Sequence, residues 1–567
     1  MHPFPPIYHY GYVQSVRAVT FKHVQNHFFQ QYNLINIPYN PNNLSMYRFI
    51  HQNDELHNYF HNFTFSSLWS MSCCSCKYVP TGIVSQEVLD VTINLCRERN
   101  IILPTFEQLA HPELIPAKIV EELKGVGLWD VNPLNLFRVS WHNDVKTGGF
   151  GKVNYVEIPQ IISGVKAPIY VMIGKHFPTG CHKVGATYGA LVSRLVRGAF
   201  DPTKQKALWP STGNYCRGGA FNSRLLGCTA IAVLPELMSQ ERFTWLKEIG
   251  AEVYATPGCE SNVKEIFDKA GELTRTGAGS VVNLNQFEEM ANPIFHYHVT
   301  GPAMEEVFNE NKKEGSRFAG ICLNQGSAGT LAAGMYLHKK HPLMKVGCSE
   351  ALQCPTLISN GYGDHRIEGI GDKHVPWVLN AKDQDVLVAI DDEACMQVFR
   401  LFNTPEGHAV LRKVGVTEEM IENLQYLGIS GVANILGCIK MAKHFEFTGK
   451  DIMITVATDS AIMYKTRLPE LEAKHGKYTE MQAYADYFRF LLGATDDNLE
   501  ELTYATRKRI HHLKYYTWIE QQGRQLEELN AQWYCDSYWD LQMNAAIEYD
   551  RLIKEFNQKT GLLKKYE

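Results

Sequence analysis

The first 53 residues contain no aspartate or glutamate, the first acid being Asp54, while His, Asn, Tyr and Phe are frequent there. Such a start fits a transit segment. It lacks a dense arginine pattern, however, and carries Pro3, Pro5, Pro6, Pro38 and Pro41, which fits a loosely packed extension equally well. The chain also has no uninterrupted apolar run long enough to cross a bilayer and no internal period of a solenoid type. It has no marked excess of one charge: 55 basic and 60 acidic residues leave a net charge of -5, so neither a nucleic acid nor a membrane surface is an expected partner. No disulfide framework is apparent, because the 14 cysteines are scattered, and reduced thiols in the cytoplasm are expected. Cys73, Cys74 and Cys76 lie together, but no second Cys/His pair at a zinc spacing accompanies them, and no metal is expected. What remains is 567 residues, 45% of them hydrophobic, enough for one large core with appendages or several domains.

The chemistry is concentrated in four stretches. Ala207-Leu-Trp-Pro-Ser-Thr-Gly-Asn214 reads as a short strand running through a polar turn into a helix start, where backbone N–H groups and hydroxyls converge into an anion cradle. Upstream, Pro178-Thr-Gly-Cys-His-Lys183 places one lysine between the apolar run Ile169 to Ile173 and a new helix pattern. A lysine walled by small and apolar residues is desolvated, which lowers the pKa of its amine and suits it to forming a Schiff base. Downstream, Ile321-Cys-Leu-Asn-Gln-Gly326-Ser-Ala-Gly-Thr330 is a strand and a Gly/Ser/Thr turn that presents amides to a phosphate. Finally, Ile452 to Thr458 is a buried strand ending in Asp459 and Ser460. Taken singly, each has a bland explanation in turn chemistry or a surface lysine.

In this order and at these separations, the four stretches resemble the cysteine synthase and cystathionine β-synthase family, pyridoxal-phosphate enzymes of fold type II. The likeness extends to Leu234-Pro-Glu-Leu-Met-Ser-Gln-Glu-Arg242, Asn285-Gln-Phe287 with Ala291-Asn-Pro293, His298-Val-Thr-Gly-Pro302 and His365-Arg-Ile-Glu-Gly-Ile-Gly371, and covers residues 155 to 465. It implies pyridoxal 5'-phosphate as cofactor and Lys183 as its Schiff-base residue and the base for the Cα proton. Gly326, Ser327, Ala328, Gly329 and Thr330 would hold the phosphate, Asn214 would lie beside the ring hydroxyl, and Ser460 would partner the pyridine nitrogen. Ser211, Thr212, Gly213, Tyr215 and Gln286 would bind the amino-acid substrate. A neutral serine at the ring nitrogen gives a shallower electron sink than an aspartate, which favours expelling a β-substituent over transamination.

The implied reaction is β-elimination or β-replacement on cysteine, serine or O-activated serine through an aminoacrylate, with sulfide or a thiol as second substrate in a replacement. A cysteine desulfhydrase or amino-acid ammonia-lyase is the alternative enzyme. An inactive scaffold of the same fold that binds a partner protein is the alternative of another class, and the joint presence of Lys183, the phosphate loop and Ser460 argues against it. Three residues depart from the family pattern. Tyr215 stands where a small threonine is usual. Cys216 stands in place of a glycine, and so does Ala328, which is expected to be tolerated with φ below zero. His182, Cys181 and Cys228 read as structural.

Around these motifs, strand patterns alternate with helix patterns, so the expected core is α/β: two parallel-sheet subdomains with the site at the C-terminal strand ends. Residues 1–70 form the acid-poor extension, 71–154 a helical lead-in, 155–465 the pyridoxal-phosphate core, and 466–567 a helical extension with patterns over 481–492, 499–520 and 525–556. Trp533 and Trp539 anchor a packing or oligomer-forming face in that last part. A homodimer in the cytoplasm is expected, with a mitochondrial address the alternative if residues 1–70 are a transit segment.

Overall fold

The computed structural model describes residues 76–80 and 82–566. The acid-poor extension, with Cys73 and Cys74, lies outside them. In chain order the strands are β1 Tyr155–Ile158, β2 Ile169–Ile173, β3 Lys206–Pro210, β4 Thr229–Pro235, β5 Glu252–Thr256, β6 Val281–Asn283, β7 Arg317–Asn324, β8 Lys345–Ala351, β9 Val386–Ile390, β10 Asp451–Ala457 and β11 Leu499–Glu501.

They form two sheets. The smaller has the order β5-β4-β3-β6 and is parallel throughout. The larger has the order β1-β2-β10-β7-β8-β9-β11, with β2 to β9 parallel and the two edges, β1 and β11, antiparallel. The apolar runs of β2 and β9 and the whole of β10, its Asp451 and Thr455 included, are buried along their length, as strands covered on both faces must be. Between the sheets, the Lys183–Leu195 and Asn214–Leu226 helices pack so closely that a Cβ on Gly218 would sit 2.8 Å from the Val184 Cα. This contact brings the first turns of both helices to one place.

The lead-in and the C-terminal segment pack on each other. Gln86–Glu98 buries Leu89, Thr92, Ile93 and Cys96, one stripe at helical spacing, and Ser85 caps it by accepting from the Val88 amide at 3.3 Å. Its Arg97 donates to the carbonyls of Lys559 and Thr560 at the end of the Tyr538–Thr560 helix. From that helix, Asn557 pairs with both backbone groups of Leu103, and Asp550 accepts from the amides of Phe106 and Glu107. Trp533 and Trp539 are both buried within the chain. The pattern over 499–520 begins with a strand rather than a helix: Leu499–Glu501 pairs with β9, and the helix starts only at Tyr504. Lys514 from this segment is fully buried, and its ammonium donates to the carbonyls of Trp377 and Leu379 and to Gln532 Oε1. Among the described residues, no helix is long and apolar enough to cross a membrane.

Candidate active site

Lys183 is the first residue of its helix, half-buried, and follows two consecutive left-handed residues, Thr179 at φ 69° and Gly180 at φ 70°. Thr179 is a non-glycine residue held in a sparsely populated region, a strain that the surrounding packing must sustain. Lys183 donates its amide to Cys181 Sγ at 3.4 Å, and His182 donates its amide to the Thr458 carbonyl at 3.4 Å, next to Asp459. His182 itself stacks on Trp141 with ring centroids 5.4 Å apart, and burial pushes its pKa well down. Its role is therefore in the core behind the lysine.

Asn214 opens the neighbouring helix. Gly213 before it has φ 155° and ψ -72°, a conformation left to glycine, and a Cβ there would lie 2.1 Å from Arg242 Nη1. The Asn214 helix has no side-chain cap at its start, which leaves its first-turn amides directed at the space in front of it, whereas those of the Lys183 helix are taken by Cys181 and His182. Asn214 Nδ2 donates to Asp459 Oδ2 at 2.7 Å, and the Tyr464 hydroxyl donates to the same oxygen at 2.6 Å. Burial raises the pKa of Asp459. Behind the Ser211–Gly213 loop, Arg242 donates to the Thr212 carbonyl at 2.7 Å and pairs with Glu368 at 3.1 Å, both side chains buried.

The Gly326–Thr330 loop follows β7. A Cβ on Gly329 would fall 2.0 Å from Asn292 Oδ1, and one on Gly326 would fall 2.7 Å from the Gly369 carbonyl. Asn292 joins this loop to the next site segment by donating to Ser327 Oγ at 3.1 Å and to the Gln286 carbonyl at 2.9 Å. Ala328 departs from expectation: it has φ 63° and ψ 3°. The loop keeps the left-handed turn that a glycine would take freely, at a cost of about 1–2 kcal/mol for a residue with a Cβ.

Of the residues singled out from the sequence, Lys183, Ser211 to Asn214 and Ser460 gather at the ends of β2, β3 and β10. Gln286 and Gly326 to Thr330 gather at the ends of β6 and β7. Tyr215 differs. Its ring is in the hydrophobic core, edge-on to Trp209 at 5.5 Å, with a hydroxyl that has no protein partner. Tyr215→Phe should therefore hold or raise stability by about 1 kcal/mol, since it removes an unsatisfied buried group. Thermal unfolding checks this, and a severalfold rise in KM would show instead that the hydroxyl faces the substrate.

A pyridoxal phosphate needs an amine, an anion cradle, a hydrogen-bonding group at the ring nitrogen and one beside the ring hydroxyl. The residues fit. Ser460 Oγ, Asn214 Oδ1, Gln286 Oε1 and Gln325 Oε1 are buried polar atoms without protein partners, and such atoms require a ligand or water. No backbone partner is seen, among the described residues, for the amides of Gly326, Ser327 and Ala328. No cluster of His, Cys, Asp or Glu that could hold a metal occurs among the described residues.

A family model described as pyridoxal-phosphate dependent enzyme matches residues 146–412. The cysteine synthase of Staphylococcus aureus is 30% identical over 258 residues, 45% of this chain and 80% of the relative. The chain belongs to the pyridoxal-phosphate-dependent enzyme family, and its two-sheet core is of fold type II. The probable cysteine synthase of Bacillus subtilis is 30% identical over 242 residues, 42% of this chain and 76% of the relative. The cystathionine beta-synthase of Saccharomyces cerevisiae is 25% identical over 318 residues, 54% of this chain and 59% of the relative. Among solved structures, O-acetyl serine sulfhydrylase isoform 3 from Entamoeba histolytica aligns with a TM-score of 0.49 at 21% identity, over 60% of this chain and 93% of that one.

Two groups at this site were missed in the sequence. Glu260, after β5, and Asp372, directly after the Gly369–Gly371 turn, are buried carboxyls that face the motifs from outside the four stretches. The only signal was Gly371-Asp-Lys at the end of a quoted family segment.

Proposed function

We propose that the protein catalyses β-elimination or β-replacement on cysteine, serine or an O-activated serine, with sulfide or a thiol as the incoming group in a replacement. The observation that carries this reading is the convergence of a half-buried lysine, the uncapped start of the Asn214 helix and an unpartnered serine hydroxyl, Ser460 Oγ, at the C-terminal strand ends. Pyridoxal phosphate, when bound, supplies the aldehyde that captures the substrate amine and the ring that draws electrons from Cα. Lys183 is the amine that anchors it and the base that takes the Cα proton. The amides and hydroxyls of Gly326 to Thr330 neutralise a phosphate dianion, and Ser211, Thr212, Gly213 and Gln286 orient the substrate α-carboxylate. Ser460 meets the ring nitrogen with a neutral hydroxyl, the electronic setting for losing a β-substituent. Asn214, held by Asp459, fixes the ring on its hydroxyl side.

We assign this chemistry to residues 155–465, with the helical segments on either side as braces, and propose a cytoplasmic homodimer. The buried cysteines among the described residues are free thiols, in keeping with a reducing compartment. The test is the visible absorbance of the purified protein before and after O-acetylserine, cysteine and serine, with assays for pyruvate, sulfide and new amino acid. A band that moves to longer wavelength and persists until sulfide is added supports a β-replacement enzyme. Pyruvate and sulfide released from cysteine alone support a desulfhydrase. A protein that holds the cofactor and responds to none of these amino acids overturns the proposal.

A further inference from the structure

Asp372 and Glu260 are 2% and 1% exposed, and each has a carboxylate oxygen, Oδ2 and Oε2, without a protein partner. They are placed by the site itself. The turn that carries Asp372 lies on the phosphate loop: the Gly369 carbonyl approaches Gly326, and the Gly371 amide donates to the Gln325 carbonyl at 3.0 Å. Glu260 lies towards the other half, where the Thr212 hydroxyl and the Gly369 amide favour its charged form against burial. The charged groups that face the pair are Lys183 and Glu260 for Asp372, and Arg242 and Glu368 for Glu260.

Both carboxyls are therefore at the candidate site, and neither has a role in the chemistry assigned so far. Burial first, then the Glu260 charge, raises Asp372 well above the carboxylate range, against the pull of Lys183, and burial raises Glu260 to about 7. With both raised, a protonated carboxyl is present at the site at neutral pH.

The Asp372 turn is also held from outside. Beyond it, the carbonyls of Val375, Trp377 and Leu379 accept from Trp518 Nε1 and the Lys514 ammonium. The fold fixes the backbone on the far side of Asp372 while leaving one of its oxygens free.

We propose that Asp372, with Glu260 behind it, is the acid that protonates the leaving group, so that the enzyme's substrates are amino acids with a poor β-leaving group, a free hydroxyl or thiol, rather than an acylated serine. This rests on the function proposed above and deepens it. As Lys183 takes the Cα proton, the C–H pair forms the Cα–Cβ double bond and the Cβ–O or Cβ–S pair leaves with the heteroatom. The Asp372 proton goes to that heteroatom, giving water or hydrogen sulfide, and the Lys183 ammonium returns its proton to the Asp372 carboxylate. Acetate, by contrast, leaves as a stable anion and needs no proton.

The test compares wild type with Asp372→Asn and Glu260→Gln in the holoenzyme, using cysteine, serine and O-acetylserine. In Asp372→Asn the ratio of kcat/KM for cysteine to that for O-acetylserine should fall at least tenfold, the lower part of the range for general acid catalysis. A second readout uses the protein without cofactor, with wild type as reference. A carboxyl raised on folding stabilises fully below its unfolded pKa and loses that contribution as pH rises through the folded value, so the wild-type Tm should drop between about 4.5 and about 7 and Glu260→Gln should flatten the drop. The protonated-carboxyl band in the infrared spectrum at neutral pH should also shrink in Asp372→Asn. An unmoved ratio, equal loss with all substrates, or a pH–Tm profile unaltered by Glu260→Gln overturns the proposal. Wild-type enzyme inert towards all three amino acids would instead overturn the parent function, a separate outcome.

Discussion

Lys183→Ala should lose turnover by at least about a thousandfold, together with the visible absorbance of lysine-bound cofactor, and still fold. The second half of this result follows from its position. Lys183 starts a helix, where the macrodipole places positive charge, and an ammonium there is disfavoured by several tenths of a kcal/mol. Alanine removes that repulsion and is a good helix former, so the Tm should stay within the range of a neutral substitution. Steady-state kinetics and a thermal melt on the same preparation check both halves. A variant keeping a tenth of wild-type activity would show that another group supplies the amine.

Arg242→Met should cost about 3–5 kcal/mol, because it leaves a buried carboxylate without its main counter-charge. Glu368 would keep Arg467, at 2.7 Å, and the Ser239 hydroxyl, while the Thr212 carbonyl would lose its donor. The Tyr464 hydroxyl, which accepts from Arg242 Nη2 at 3.2 Å and donates to Asp459, would also lose a neighbour. Since the same guanidinium packs against Gly213, KM for the amino acid should rise as stability falls. The midpoint of urea unfolding gives the first effect and initial rates give the second. Adding Glu368→Gln should recover part of the stability by removing the stranded charge, and a total cost below about 1 kcal/mol would show that the pair contributes little.

The core strands were legible because strands buried on both faces are continuous apolar runs, and because the loops at their ends are short and rich in Gly, Ser and Thr. Ile169 to Ile173 stands where its apolar run puts it. So do the starts of the helices at Lys183 and Asn214. What was not legible depends on pairing across the chain. Leu499–Glu501 has too few residues for a strand pattern and exists as a strand through its bonds to β9. Asp372, Glu260 and Arg242 look like ordinary surface charges in sequence, and their meaning comes from burial against residues of other segments, as in the Arg242–Glu368 pair. Ala328 shows a third limit: φ is a property of the loop, and the Gly329 and Gly326 contacts impose it on whichever residue stands between them.

The antiparallel β11 strand closes what would otherwise be the outer border of the larger sheet, where β9 presents Val386-Leu-Val-Ala-Ile390. A chain shortened to the span shared with its relatives would leave that border as a row of free amides and carbonyls flanked by five apolar side chains, a template for strand addition between molecules. The segment beyond residue 465 therefore covers this border, and a premature stop after residue 465 should raise aggregation, measured by light scattering, before any question of catalysis arises.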